Sequence, residues 1–281
     1  MDKLSEVLNN FSISAGVFYT GNLCGLSSFN PDGSEEGHIH LLKSAKLTVI
    51  DRHDQKSLID EPSVLFYPRP AQHRLLATQA DDAQVICATI KYGTGSKNPL
   101  ANALSELLTI KLNSAVQLRM TTDLLFQEVF AKESGRLAMM DRLTEIFVIH
   151  LLRYAMTNNL VAWGMLSGLS HPQLSKAIIA MHQTPERHWE LETLAELSAM
   201  WRSKFAELFR EKVGQTAGDY LLEWRVALAQ NHLKKGRPVD WVANQAGYEN
   251  ASALARVFRK KTGQSPQAEG ITKQPANYCL I

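Results

Sequence analysis

One eight-residue pattern occurs twice in the C-terminal third of this 281-residue chain: FREKVGQT at residues 209–216 and FRKKTGQS at residues 258–265. The similarity extends upstream, because FAEL at 205–208 corresponds to LARV at 254–257 with the same offset. Each copy reads as a short helix with a small alanine, a turn, and a second helix ending at a glycine suited to a left-handed cap. A small alanine lets two helices cross closely, so the repeat predicts two helix-turn-helix units.

The residues between the copies predict a linking helix, because their apolar side chains form the stripe of an amphipathic helix: Tyr220, Leu221, Trp224, Leu228 and Leu233. Residues 171–281 carry 15 Lys and Arg against 11 Asp and Glu, a net of +4, whereas residues 1–170 carry 15 against 17, a net of −2. Two helix-turn-helix units in a basic segment suit two successive major grooves, about 34 Å apart. A duplicated helical bundle without DNA binding is the alternative interpretation.

The second copy resembles the AraC/XylS family of bacterial transcription regulators. It reads VDWVANQAGY at 239–248 and FRKKTGQSP at 258–266, similar to the family signature I-x-x-I-A-x-x-x-G-[FY] followed by F-[KR]-[KR]-x-x-G-x-[ST]-P. With the first copy and the linking helix, the resemblance covers residues 174–266. It implies a sequence-specific DNA-binding regulator, by family habit an activator, with double-stranded promoter DNA and RNA polymerase as partners.

Two positions depart from the family pattern. Trp201 stands where the first recognition helix usually begins with a capping serine, and the loss of such a cap costs about 0.5–2 kcal/mol unless Ser203 replaces it in a later helix start. After Ser265 and Pro266 the chain continues QAEG rather than with the usual Tyr-Arg. We expect residues 268–281 to form a flexible tail.

The resemblance also implies which side chains meet DNA. Base-facing positions lie early on each recognition helix, and Ser, Asn and Arg can bind base edges. These positions are Arg202, Ser203, Ala206 and Glu207 in the first unit, and Asn250, Ala251, Ser252 and Arg256 in the second. Side chains expected to hold phosphates are Lys204, Arg210, Arg259 and Lys260. A solvated helix face is the alternative for each basic residue.

The N-terminal part has a different pattern, since short β-forming runs separated by glycine-rich turns fill residues 12–92 and predict a β-sandwich or barrel. In the AraC/XylS family this position often holds a cupin-like barrel, and LFYPRPAQHRL at 65–75 loosely resembles a conserved cupin segment. The predicted fold class is α+β: a cupin-like sensing domain at 1–95, a helical linker or dimerisation segment at 96–170 and a double helix-turn-helix domain at 171–267. The helix at 143–154 is a candidate dimer surface, and packing inside the N-terminal domain is its alternative.

Three histidines of this domain suggest a metal site. His38 and His40 share one face of a strand, and His73 could add a third nitrogen. The glutamate that metal cupins place after the first histidine pair has no counterpart at 41–47, so we expect no metal, no cofactor and a surface or pocket-lining role. A cupin-type metal-binding protein or enzyme with an accessory helical domain is the alternative function. No catalytic residue is predicted, because the chain lacks a phosphate loop and a Gly-x-Ser-x-Gly elbow.

Two cysteines suggest a second means of sensing. Cys24 and Cys87 flank or lie in predicted strands, and they could form a disulfide if their α-carbons lie within about 7 Å. Their alternative is a structural role as small apolar side chains, while Cys279 falls in the tail. The predicted signal is therefore an unidentified small molecule or an oxidant, and homodimerisation is left open.

The composition supports this class of protein. Hydrophobic residues make up 45% and charged residues 21%, as in ordinary globular domains, and three cysteines are too few for a disulfide framework. The polar start MDKLSE lacks the apolar core of a signal peptide, and no run of about 18 apolar residues occurs. We therefore expect a cytoplasmic protein without a membrane partner.

Overall fold

The computed structural model describes residues 2–10, 13–30, 35–44, 46–93, 98–131, 133–161 and 163–271. These residues form two compact units, one within 13–170 and the other made of 2–10 and 171–271. The N-terminal residues therefore pack with the C-terminal unit rather than with the barrel, and the segment predicted as a linker at 96–170 belongs to the barrel unit. Among the described residues, no helix is long and apolar enough to cross a membrane.

The barrel unit contains two antiparallel sheets. One has the order β1-β8-β3-β6-β9 and the other β2-β7-β4-β5. The strands are β1 Ile13–Leu23, β2 Gly25–Phe29, β3 Gly37–Ser44, β4 Leu47–Ile50, β5 Lys56–Ile59, β6 Ser63–Tyr67, β7 His73–Ala77, β8 Ala83–Tyr92 and β9 Leu108–Lys111. Leu42, Leu65 and Val85 of the first sheet share a core with Val49 and Leu75 of the second. The predicted cupin-like β-structure is confirmed.

Four helices complete this unit: α2 Pro99–Asn102, α3 Val116–Phe130, α4 Arg136–Thr157 and α5 Met165–Ser170. Helix α4 packs against α3 and against β1. In the segment predicted as a candidate dimer surface, Phe147 and Leu151 are fully buried whereas Ile146 is 45% exposed. Helix α4 therefore contributes to the core of the unit and also leaves an apolar edge exposed.

The second unit is entirely helical in its described residues. Its helices are α1 Ser5–Asn10, α6 Leu174–Gln183, α7 Leu191–Leu197, α8 Arg202–Val213, α9 Ala217–Lys234, α10 Val239–Gln245, α11 Ala251–Thr262 and α12 Pro266–Ile271. Helix α1 packs against α6, and the Asn231 side-chain amide donates to the carbonyl of Asn10. Every member of the apolar stripe predicted for the linking helix α9 is buried.

The predicted tail begins later than expected. Residues 268–271 belong to α12, where Glu269 is 8% exposed and lies 3.7 Å from the Lys234 ammonium. Helix α12 packs against α9, and the Lys234–Glu269 ion pair links the two helices. The loose sequence pattern after Pro266 gave no indication of this packing. Residues 272–281, including Cys279, lie outside the described residues.

A stacked aromatic group supports the centre of the helical unit. The ring of His182 lies 3.5 Å from that of Trp224, and its Nε2 is 2.6 Å from the hydroxyl of Tyr220. Burial lowers the pKa of His182 to about 3, so the imidazole is neutral in the folded protein. These contacts join α6 to α9 and fix the frame on which the two helix-turn-helix units are built.

Candidate DNA interface and barrel interior

The two helix-turn-helix units are built alike. In the first, α7 carries Ala195, which is 2% exposed, and α8 inserts the fully buried Phe205 and Phe209. In the second, Ala243 on α10 is fully buried, and α11 inserts Leu254 and Phe258, which correspond to Phe205 and Phe209 at the repeat offset. In each unit, a small buried alanine on the first helix lets the apolar side chains of the second helix pack closely against it, as the sequence predicted. The predicted pair of helix-turn-helix units is confirmed.

Both recognition helices end in the same way. Gly214 after α8 has φ of 85° and Gly263 after α11 has φ of 80°, the left-handed region that favours glycine. Each glycine N–H donates to a carbonyl four residues earlier, on Arg210 and Arg259 respectively, at 2.9 Å. The two helices also have the same length of 12 residues, so they differ mainly in how they begin.

Only the second recognition helix has a side-chain cap. The Asn250 side-chain oxygen accepts from the N–H of Ala253 at 2.9 Å. Trp201 occupies the same position before α8 and makes no capping hydrogen bond. Helix α8 begins at Arg202, so the expectation that Ser203 caps a later start is wrong: the backbone is already helical one residue before it.

The predicted DNA-contacting side chains lie on outward faces of α8 and α11. Ala206 and Ala251 are half-buried, and the others are exposed: Arg202, Ser203, Lys204, Glu207, Arg210, Asn250, Ser252, Arg256, Arg259 and Lys260. Four of the exposed ones line a single shallow groove along α11: Ser252, Arg256, Arg259 and Lys260. Exposed side chains at the start of a recognition helix can meet base edges, and cations further along can meet phosphates.

The two recognition helices differ in charge. Helix α8, RSKFAELFREKV, carries four cations and two carboxylates, a net of +2, whereas α11, ASALARVFRKKT, carries four cations and no carboxylate, a net of +4. The guanidinium of Arg202 also pairs with Glu192 at 2.9 Å, and Lys261 pairs with Glu223 at 3.2 Å. Both pairs are exposed, and such pairs contribute little to stability, so either cation can exchange its carboxylate for a phosphate.

A chain of hydrogen bonds runs through the barrel interior. His40 lies on β3 opposite Cys87 on β8, and its Nδ1 is 3.1 Å from the Cys87 sulfur. The Nε2 atoms of His40 and His73 are 2.8 Å apart, and Nδ1 of His73 is 2.8 Å from the carbonyl oxygen of Ala71. All three side chains are 1% exposed.

The carbonyl of Ala71, at the end of this series of hydrogen bonds, determines which nitrogen of each histidine carries the proton. The oxygen of Ala71 can only accept, so Nδ1 of His73 carries a hydrogen and its Nε2 accepts. His40 therefore donates from Nε2 and accepts at Nδ1, and the Cys87 thiol donates to it. Burial raises the pKa of Cys87 to about 12 and lowers that of His73 to about 4. Burial, and then the neighbouring His73, also lower the pKa of His40 well below its usual range, so all three groups are neutral.

Aromatic rings surround this series of hydrogen bonds. The His73 ring lies between two nearly parallel rings, Tyr67 at 3.8 Å and Phe29 at 4.8 Å between centroids. In the part of the chain that the structure describes, the Tyr67 hydroxyl and Nδ1 of His38 have no hydrogen-bond partner. The sequence missed Tyr67 and Phe29, because these residues come from strands that are distant in sequence and no local pattern places them together.

The three histidines come together inside the barrel unit. His40 and His73 are each 1% exposed and therefore do not lie at a surface, and the half-buried ring of His38 lies 6.0 Å from that of His40 and 5.6 Å from that of His73 between centroids. Both nitrogens of His40 are engaged, by His73 and Cys87. Within the described residues, no group of three or more His, Cys, Asp or Glu side chains could hold a metal ion.

The two cysteines of the barrel unit are well separated. Cys24 is exposed and Cys87 is buried. Cys87 pairs with Tyr19 of β1, five residues before Cys24, which corresponds to roughly 15 Å along an extended strand. A direct disulfide needs α-carbons within about 7 Å, so the condition stated for a Cys24–Cys87 bond is not met in this structure.

Comparisons with known proteins find a family for each of two parts of the chain. Residues 2–157 match the family described as Cupin, and residues 194–269 match a helix-turn-helix domain. The chain belongs to the cupin family and is an AraC-type transcription regulator. Its C-terminal helix-turn-helix units are of a DNA-binding type.

Several relatives of this AraC-type regulator are similar over most of its length. The HTH-type transcriptional regulator AlkR of Acinetobacter baylyi is 27% identical, over 95% of this chain and 98% of its own. The RCS-specific HTH-type transcriptional activator RclR of Escherichia coli K12 is 26% identical, over 73% of each chain. Among solved structures, ToxT of Vibrio cholerae is 14% identical, over 92% of this chain and 94% of its own, with a TM-score of 0.41.

Proposed function

We propose that this regulator activates transcription by binding promoter DNA through α8 and α11, and that its cupin unit responds to an oxidant. The observation that carries the DNA-binding assignment is the outward groove of α11, where three cations and a serine stand side by side on a helix without carboxylates. The base-facing roles belong to the side chains at the start of each helix. The later cations, Arg210, Arg259 and Lys260, hold phosphates and set the register.

The activating direction rests on kinship. AraC-type regulators are by habit activators, and the relative RclR carries the word activator in its name. RNA polymerase is then the protein partner at the promoter. A reporter fused to a captured promoter distinguishes activation from repression, because deletion of an activator lowers reporter output and deletion of a repressor raises it.

The oxidant response is assigned to Cys24 first and to Cys87 second. Thiol oxidation follows exposure and thiolate character, and of the two cysteines that the structure describes Cys24 is exposed and Cys87 is buried. Cys87 is held as a neutral donor to His40, which protects it until the β1–β8 pairing opens. With hydrogen peroxide, the Cys24 thiol becomes a sulfenic acid and the peroxide is reduced to water. A direct bond to Cys87 would require a rearrangement of β1.

A second copy of the chain is the proposed partner of α3. Val116, Met120 and Leu124 recur every four residues along this helix and are 50%, 61% and 50% exposed. Such a stripe can bury itself against its own copy in a two-fold dimer. Met120→Glu is then expected to shift the chain to monomer in sedimentation, while Leu58→Glu, at an equally exposed position of β5, leaves the dimer intact. A monomeric wild-type chain would refute this surface.

The test of the whole assignment is capture and sequencing of genomic fragments by the purified full-length chain, with and without hydrogen peroxide. Sharp enrichment at a few promoters supports sequence-specific binding, and an Arg256→Ala variant should show weaker and less selective enrichment while still binding bulk DNA. A peroxide-dependent change that Cys24→Ser abolishes supports the oxidant response. Normal peroxide response in Cys24→Ser would refute the role of Cys24, and featureless capture by the wild-type chain would refute the DNA-binding assignment.

A further inference from the structure

Trp201 is the most exposed large apolar side chain in the described part of the molecule. Its side chain is 86% exposed, directly before α8. The next three residues, Arg202, Ser203 and Lys204, are exposed as well, so the whole first turn of this recognition helix faces outward. A tryptophan in that position presents an apolar surface that folding leaves uncovered.

Neither capping nor packing accounts for the indole. The equivalent residue in the second unit, Asn250, caps its helix, whereas Trp201 makes no such bond. Other tryptophans of the same unit have partners within the chain: Trp189 lies 4.4 Å from the Arg187 guanidinium, and Trp241 lies 5.0 Å from the ring of His232. Among the described residues, no ring or cation contact involves Trp201.

The position of Trp201 defines what it can contact. Residues at the start of a recognition helix meet base edges in the major groove. The thymine 5-methyl group is the apolar feature that a base pair presents there, and apolar side chains recognise it. We propose that the Trp201 indole packs on a thymine methyl group in the half-site bound by α8, and so determines sequence preference. This inference rests on the proposed binding of α8 to promoter DNA.

The test removes the methyl group from the DNA and the indole from the protein. Each thymine of a captured site is replaced in turn by deoxyuridine, which lacks only the 5-methyl group, and binding of the full-length chain is measured. For the wild-type chain, one replacement should weaken binding about fourfold, the effect of exposing one methyl group. Trp201→Ala should weaken binding to the thymine site by at least as much and should no longer distinguish thymine from deoxyuridine.

Two further variants separate recognition from general damage. Trp201→Phe keeps an aromatic ring and should retain part of the discrimination. Trp163→Ala removes another exposed tryptophan, 59% exposed in the barrel unit, and should retain all of it. Because alanine caps no better than tryptophan, helix stability should be equal in Trp201→Ala and the wild-type chain.

The outcomes distinguish failure of the Trp201 proposal from failure of the proposed DNA binding. If the wild-type chain binds its site but tolerates deoxyuridine at every position, or if Trp201→Ala keeps the methyl effect, the role of Trp201 is refuted and DNA binding stands. If the wild-type chain binds no specific site, the proposed function fails, and the role of Trp201 fails with it.

Discussion

The two recognition helices allow the energy of a helix cap to be measured within one protein. Helices α8 and α11 have the same length and the same glycine C-cap, and they differ at the first position, where Asn250 caps and Trp201 does not. Asn250→Ala removes the acceptor that lies 2.9 Å from the N–H of Ala253. Trp201→Ser supplies an acceptor at the corresponding position of α8. The two changes should therefore shift stability in opposite directions.

The expected size follows from the single hydrogen bond involved. Loss of an exposed asparagine cap costs about 1 kcal/mol, and a gained cap contributes about the same. In a helical unit of about 110 residues, this corresponds to a shift of roughly 4 °C in its melting temperature, downward for Asn250→Ala and upward for Trp201→Ser. Thermal unfolding of the full-length chain measures the shift, and amide exchange in α8 and α11 assigns it to the altered helix. Lower stability in Trp201→Ser, or an unchanged Asn250→Ala, would refute the assignment of these caps.

Five further substitutions test other parts of the structure. Gly247→Ala should destabilise the helical unit by about 2–4 kcal/mol in urea unfolding, because φ is +75° and the added Cβ would lie 2.6 Å from Cα of Glu186. Gly263→Ala is the matched control: φ is +80° but the space around the added Cβ is open, so the cost should be only about 1 kcal/mol. The wild-type chain should lose stability as the pH falls from about 6.5 toward 3, because His182 takes up a proton in the unfolded chain but not in the folded one. His182→Phe should remove this pH dependence, and an unchanged pH profile would contradict the reasoning. Lys260→Ala should flatten the salt dependence of DNA binding by about one unit of slope without changing base preference, whereas Arg256→Ala should weaken specific binding by about 1–3 kcal/mol and relax one base position.

The helical unit was largely predictable because its information is local. A repeat at a fixed offset, the glycines that end α8 and α11, and the apolar stripe of α9 each depend on residues within a few turns of one another. The local sequence pattern also identified Trp201 as a residue unable to cap. It could not show that α8 begins at Arg202 regardless, because packing of Phe205 and Phe209 outweighs one missing cap of about 1 kcal/mol.

The barrel interior was less predictable because its contacts are not local. The strands β3 and β8 are neighbours in the sheet although some 40 residues separate them in the chain, and only this pairing brings His40 to Cys87. The spacing of His38 and His40 correctly indicated a shared strand face. It could not indicate that Tyr67 and Phe29 enclose His73, or that the end of β1 carries Cys24 away from Cys87.

The charge and capping of the two recognition helices together suggest different tasks for them. Helix α11 combines a net charge of +4 with a capped, well-defined start, which suits strong binding to phosphates and a fixed register. Helix α8 has half that charge, an exposed indole and Glu207 on its outward face, features that contribute little to non-specific attraction. If the phosphate-binding cations of α11 anchor the protein and the exposed start of α8 discriminates between sites, Lys260→Ala should reduce affinity for all DNA, and Trp201→Ala should alter which promoters are chosen. Affinity and selectivity would then be separable by comparing these two variants.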